Sequence, residues 1–223
     1  MRSFALVPAL VSRVLAGLLL VAASDARALS FQADFRSTTY QVVAGDTYAD
    51  LLAAHLSAPL LASVSMTAFE NVSAQVSAGV NRNYSIRLTA ALTVGVSGTY
   101  AFQVGADWGR GGVAAVLDES GAVIQEFVRT DDIWWANNWN NPDVFTTSLA
   151  LDAGSSYTLV WLGFEGCCGG ATTIRFSFDG APFQPLNEPN LQPFSVPEPG
   201  TALLLGAGLA GLATHGRAMR RSR

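Results

Sequence analysis

Between residues 84 and 104 apolar side chains fall on every second position: Tyr84, Ile86, Leu88, Ala90, Leu92, Val94 and Val96, then Tyr100, Phe102 and Val104 beyond the turn at Ser97-Gly98. A period of two belongs to an extended strand with one buried and one solvated face, and a helix cannot align it. Further short strands follow. Residues 113–117 are continuously apolar, Glu119-Ser120-Gly121 turns the chain into 123–128, and 144–151, 157–164 and 172–178 complete the series. This spacing predicts a mainly β fold, an antiparallel, jelly-roll-like β-sandwich in which 84–128 runs as a meander.

The flanking segments are read in the same way. Residues 30–43 are expected to be extended, burying Phe31, Phe35, Tyr40 and Val42, and Gly45-Asp46-Thr47 offers a cap for one short helix over 47–56. Leu51, Leu52 and Leu56 are expected on its buried face, and Pro59 ends it. Residues 64–80 alternate weakly and read as one or two strands. Pro185, Pro189 and Pro193 mark 184–195 as an extended linker, which leaves 29–183 as the sandwich domain.

The two ends do not belong to that domain. Arg2 and Arg13 precede an apolar stretch over 14–23, and Ala26-Arg27-Ala28 has the small-x-small form of a signal peptidase site, so 1–28 reads as a signal peptide. An uncleaved signal anchor is the alternative. At the other end, Val196-Pro197-Glu198-Pro199-Gly200-Thr201 precedes an apolar run over 202–213 and then Arg217, Arg220, Arg221 and Arg223. That run as a helix reaches about 18 Å, short of the roughly 30 Å hydrocarbon core unless it extends towards Met219 with the arginines snorkelling. Clustered arginines favour the cytoplasmic side and place the body outside. This order of motif, apolar run and basic cluster over 196–223 resembles the PEP-CTERM sorting tail of Gram-negative bacterial proteins. The resemblance implies an exported protein of the cell envelope or extracellular matrix, transiently anchored in the inner membrane through its C-terminal helix and processed by an exosortase-type enzyme. A plain C-terminal anchor is the alternative.

Setting the ends aside changes the charge. The whole chain carries −4, but seven of its 13 basic residues, all arginine, lie at the ends. Residues 29–199 keep six arginines against 16 acids, a net charge of −10. Such a surface repels nucleic acid and suits a hydrated polysaccharide neighbourhood, although acidity also serves solubility.

Two further resemblances cover 97–179. Ser97-Gly98-Thr99-Tyr100-Ala101-Phe102, Gly105-Ala106-Asp107-Trp108, Leu151-Asp152-Ala153-Gly154, Tyr157 and Phe164-Glu165-Gly166 resemble a protective-antigen-type sandwich domain. That family includes sugar-binding domains that use calcium held by adjacent aspartates; here the matching turn carries Asp107-Trp108 instead of a pair of acids. Gly166-Cys167-Cys168-Gly169-Gly170 resembles the PEP-CTERM proteins named for a Cys-Cys-x-Gly motif.

Two motifs are candidates for chemistry. Cys167 and Cys168 are the only cysteines, and export favours their pairing; as a disulfide they would staple a turn, present a rigid apolar button to a ligand or act as a redox switch. Bridging between molecules is the other outcome. The second motif is Asp131-Asp132-Ile133-Trp134-Trp135-Ala136-Asn137-Asn138-Trp139-Asn140-Asn141-Pro142-Asp143. Aromatic faces stack on sugar C–H faces while carboxylates and amides bond hydroxyls, so Asp131, Asp132, Trp134, Trp135, Asn137 and Trp139, with Asp107 and Trp108, are candidate glycan-binding residues. The competing reading has the tryptophans filling the sandwich end and the asparagines capping turns.

No metal site or cofactor is expected. The loop oxygens suit calcium chemically, without a regular Asp-x-Asp-x-Asp-Gly pattern, and only His55 and His215 are available to join the cysteines on zinc. His55 has no nucleophile motif nearby, and Asp118, Glu119 and Glu126 are the acids from which a glycosidase pair would have to come. The chain is therefore expected to be non-enzymatic, a structural or glycan-binding protein with exopolysaccharide as partner. The alternatives are a polysaccharide-active enzyme and a surface protein without a specific ligand.

Overall fold

The computed structural model describes residues 29–196. The expected signal helix within 1–28, the C-terminal hydrophobic helix and the sorting residues Pro197, Glu198, Pro199, Gly200 and Thr201 lie outside the described residues.

The strands are β1 (Leu29–Ser37), β2 (Leu60–Met66), β3 (Tyr84–Thr93), β4 (Gly98–Trp108), β5 (Gly112–Leu117), β6 (Val123–Arg129), β7 (Ile133–Trp134), β8 (Phe145–Leu151), β9 (Ser156–Glu165), β10 (Thr172–Phe178) and β11 (Gln184–Pro185). They form a six-stranded sheet, β2-β1-β3-β9-β5-β6, and a five-stranded sheet, β11-β10-β4-β7, with β8 also paired to β4. The pairings are antiparallel. Buried residues of both sheets meet in one core: Ile86 and Leu88 of β3 and Trp161 of β9 with Tyr100, Phe102 and Val104 of β4 and Ile174 and Phe176 of β10. The Trp108 indole reaches across to within edge-on contact of Trp161, at 6.4 Å between centroids.

The period-two reading of β3 and β4 holds and β10 fills the short strand expected over 172–178, but the meander does not form. β3 lies between β1 and β9, whereas β4 lies in the opposite sheet beside β8 and β10. Within 84–128 only β5 and β6 form a hairpin of adjacent strands. Crossing from one sheet to the other sets the apolar face of β4 opposite that of β3, so the two strands close the same core from its two sides.

The continuous apolar run of β5 has a related cause. All six of its residues are buried, because one face enters the sandwich and Val113, Ala115 and Leu117 lie beneath a second cluster with Val42, Tyr48 and Leu51. That cover is helix α1 (Tyr48–Ser57). Thr47 caps it: its hydroxyl accepts from the Asp50 N–H while the Asp50 carboxylate accepts from the Thr47 N–H. The buried face of α1 is Tyr48, Leu51 and His55, and Leu56 is 48% exposed, contrary to the expected Leu51-Leu52-Leu56 face. His55 fits on this buried face because its Nδ1 shares a hydrogen bond with the buried Ser85 hydroxyl at 2.8 Å.

Two further expectations are corrected. Residues 64–80 hold the end of the edge strand β2 and then helix α2 (Ala74–Ala78). Residues 184–195 are not an extended linker: β11 joins β10, helix α3 (Glu188–Leu191) buries Leu191, Leu186 is buried, and Phe194 rests against Tyr100, Phe176 and Phe178. The prolines fit because each occupies a tolerated place: Pro185 on an edge strand, and Pro189 and Pro193 in the first turns of short helices. The domain thus runs through Val196, whose N–H donates to the Thr93 carbonyl at 3.0 Å.

Burial, with the charges of Arg87 and Arg36 adding to it, pushes the His55 imidazole down to about 4 from its ordinary 6.5. The unfolded chain then binds a proton between those values that the folded chain refuses, so this group's contribution is complete above pH 6.5 and is lost as pH falls towards 4. Replacement of His55 by Gln is expected to flatten the pH dependence of unfolding free energy in that window by up to about 3 kcal/mol, as read from urea titrations at pH 7, 5.5 and 4. An unchanged slope would contradict the buried, neutral imidazole.

Candidate functional site

Along β4 the inward residues Tyr100, Phe102, Val104, Ala106 and Trp108 are buried, so the outward row is Ala101, Gln103, Gly105 and Asp107. The tryptophan- and asparagine-rich loop folds onto this outer face. Its first residues form β7, where Trp134 is the register partner of Asp107 and Ile133 that of Trp108. Partners opposite one another share a face, so Trp134 stands outward beside Asp107 while Ile133 and Trp108 turn inward. Trp134 is 62% exposed, and Asp132, two residues earlier, is exposed too. Although the Asp107 side chain reaches water, the surrounding loops reduce its hydration, and together with the nearby Asp132 charge this raises its carboxyl above the ordinary value.

Beyond Trp134 the chain enters the left-handed region at Ala136 and Asn137 and turns back over the sheet. Trp135, whose N–H donates to the Ala106 carbonyl at 3.1 Å, lays its indole over Gly105. A methyl group at Gly105 would collide with that ring, which is why a glycine interrupts the outward row of a central strand. Trp139 meets Trp135 edge-on at 4.5 Å, and the Arg175 guanidinium of β10 stacks on Trp139 at 4.0 Å.

Polar contacts set the path of the loop. Arg129 at the end of β6 holds Asp131 through two bonds of 3.1 Å and Asp143 at 2.7 Å, and Asp143 also accepts from the Trp134 N–H. The bond to Arg129 keeps the Asp131 carboxyl below its ordinary value. Asn138 and Asn141 accept backbone N–H groups from Asn140 and Asp143, and the Asn141 amide donates to the Trp134 carbonyl at 2.9 Å.

The candidates of the sequence thus divide. Asp107, Asp132 and Trp134 are brought together on the surface, and Asn137 is exposed at the turn. Asp131 is committed to Arg129. Trp108 is a correction: it is fully buried between Tyr84 and Trp161, with Nε1 donating to the Thr172 hydroxyl at 2.8 Å, and presents no face to a ligand. Trp135 is likewise buried, because the glycine beneath it admits the whole ring. Trp139 is half-buried.

Cys167 and Cys168 are bonded to each other at the exposed tip of the β9–β10 turn. The turn is anchored by Glu165, a buried residue that sequence reasoning missed. Its carboxylate accepts from the N–H groups of Gly166 at 2.6 Å, Cys167 at 2.8 Å and Gly109 at 3.2 Å, joining this turn to the one after β4. Burial raises its carboxyl above the ordinary value, against the lowering effect of those three donors. Arg175 and Phe183 were also missed. The only signal for Arg175 was its place between inward Ile174 and Phe176.

Of the acids considered for hydrolysis, Glu126 accepts from the Tyr48 N–H that opens α1, Asp118 holds the turn through Ser120 and Ala122, and Glu119 is exposed on that turn. Buried His55 has no open surface. Among the described residues no three His, Cys, Asp or Glu side chains gather as a metal-binding group, and no helix is long and apolar enough to cross a membrane.

The surface therefore defines a β-sandwich module with a small aromatic and acidic platform at one end of its five-stranded sheet. Residues 195–221 match the PEP-CTERM protein-sorting motif, which marks a secreted, envelope-sorted protein processed by an exosortase-type enzyme. Sequence comparison with curated proteins finds no match. Among solved structures, the chain is similar to a PA14 sugar-binding domain from an RTX adhesin, at 14% identity over 70% of this chain and 94% of that one, with a TM-score of 0.43. It is also similar to the epithelial adhesin 9 A domain from Candida glabrata in complex with Galβ1-4GlcNAc, at 11% identity over 70% and 86%, with a TM-score of 0.45. A third is the PA14 domain of the MpAFP antifreeze protein, at 15% identity over 71% and 88%, with a TM-score of 0.45. The resemblance to these domains is weak and carries no ligand across.

Gly105→Ala is expected to lift Trp135 from the sheet and cost about 1–3 kcal/mol, the range for overpacking a well-filled site. Denaturant unfolding and a red-shifted tryptophan emission check it. An alanine variant of wild-type stability and emission would contradict the close approach of ring and backbone.

Proposed function

We propose that the body is a non-catalytic glycan-binding module, delivered by its C-terminal motif to the envelope or the surrounding exopolysaccharide. One observation carries this reading: Trp134 stands exposed between the carboxylates of Asp107 and Asp132 on a rigid strand pair. An indole face offers a sugar ring a flat apolar surface, and flanking carboxylates accept from its hydroxyls. Trp135 takes the one buried place over Gly105, which leaves the Trp134 indole 62% exposed and available to a ligand. Asn137 at the turn adds an amide within the same loop. The paired Cys167 and Cys168 serve in this reading as a staple of the neighbouring turn.

Trp134→Ala is expected to leave the fold intact and to lower retention on immobilised host exopolysaccharide at least about tenfold, equivalent to roughly 1.4 kcal/mol. Trp135→Ala should instead destabilise the domain. A folded Trp134→Ala protein retained like wild type would sink the assignment of this surface, and progressive shortening of the polymer during incubation would favour an enzyme.

Processing is tested separately. Mass spectrometry of the mature protein from its host is expected to show a C-terminus near Pro197-Glu198-Pro199 and no Arg223. An intact tail on mature surface protein would contradict exosortase processing.

A further inference from the structure

The outer face does not end at Trp134. Along β4 the row runs from Asp107 through Gly105 to Gln103, about 13 Å at the rise of a strand, and because Trp135 and Trp139 cover its middle a chain of sugars would pass over these two rings. At the far end Gln103 is the register partner of Arg175 on β10, and its side-chain oxygen accepts from Arg175 Nε at 2.7 Å. Trp139 lies 4.0 Å from the guanidinium carbon and Phe183 4.8 Å from it. Two aromatic rings thus stack on the guanidinium and Nε is satisfied, which leaves the two Nη groups at its edge. Neither Nη has a partner among the described residues, and both reach solvent.

Arg87 is neutralised by Asp34, and Arg129 by Asp131 and Asp143, whereas no carboxylate among the described residues lies within ion-pair distance of Arg175. Arg36, Arg82 and Arg110 also form no ion pair among the described residues, but Arg36 donates to the Leu56 and Ala58 carbonyls and Arg110 to the Asn83 side-chain oxygen. Burial lowers the Arg175 pKa with nothing to offset it. A guanidinium held flat by its neighbours has already lost its rotamer freedom, and its free edge matches the two oxygens of a carboxylate. The stack resists the collapse of that edge onto the sheet.

We infer that the outer face of the five-stranded sheet binds an acidic polysaccharide, a chain containing uronic acid, with Trp134 stacking one ring and the Nη groups of Arg175 taking a sugar carboxylate further along. This names the ligand class for the surface proposed above and rests on that reading. The net charge of −10 repels a polyanion at long range, so at ordinary ionic strength the attraction is confined to Arg175, while Asp107 and Asp132 at the opposite end of the row accept hydroxyls rather than carboxylates.

Affinity electrophoresis of the full chain through gels containing hyaluronate, in which glucuronate alternates with a neutral sugar, or the same polymer with its carboxyls reduced to alcohols, tests it. Wild type is expected to be retarded at least about tenfold more strongly by the uronate polymer, the scale of one charge-assisted pair of bonds. Arg175→Gln should abolish that preference while still binding the reduced polymer, and Arg175→Lys, which keeps the charge without the planar fork, should recover only part of it. Near-UV circular dichroism verifies that the tryptophan stack persists. The comparison of the two polymers on wild type needs no variant. Equal retardation by both polymers, or a preference that survives in Arg175→Gln, overturns the inference while leaving glycan binding in place. Retardation by neither overturns both.

Discussion

The strict two-sidedness of β4 is the constraint on which the rest of the molecule depends. Its inward row supplies Tyr100, Phe102, Val104, Ala106 and Trp108 to the core, and its outward row supplies the floor on which the tryptophan loop lies. A one-residue slip in the register with β10 would exchange these rows, driving Asp107 and Gln103 into the sandwich and aromatic rings into water. Register is held from both edges. β10 pairs with residues 100–106, and β8 pairs with 98–104 on the other side. Site and core are two faces of the same strand, so the geometry of the platform inherits the rigidity of the sandwich.

Polar groups then act where strands end. Arg129 gathers Asp131 and Asp143, fixing both ends of the loop that carries Trp134, and Glu165 gathers three amides from two turns. Each is a charged group joined to several partners, the condition under which partly desolvated charge is retained rather than lost. Arg175 departs from that pattern, since aromatic rings hold it in place of a carboxylate.

Half-buried strands were legible because their chemistry alternates locally: β3 and β4 fall within a few residues of the positions that periodicity indicates. The capping box of α1 was also readable from Thr47. Sheet membership was not, because crossing between layers is decided by contacts remote in sequence. The 184–195 segment was misread since proline signals an extended linker equally well when it sits on an edge strand or opens a helix. At the site, Trp134 and Trp135 are adjacent and chemically identical; only the left-handed residues after them and the missing side chain at Gly105 decide which is buried. The interior glycine was the available sign of close approach. The pairing of Trp139 with Arg175 joins residues 36 apart in the chain and left no local trace.

The tail supplies an address, and in the proposed reading the outer face of the sandwich supplies the chemistry to be used there. On that reading, ligand meets Trp134 on the outer face and leaves the core tryptophans untouched. Indole N–H resonances of the five tryptophans, followed by NMR during titration with a soluble exopolysaccharide fragment, measure this directly. A saturable shift is expected at Trp134, with Trp108 and Trp161 unmoved. Saturable binding that leaves the Trp134 resonance in place would contradict it.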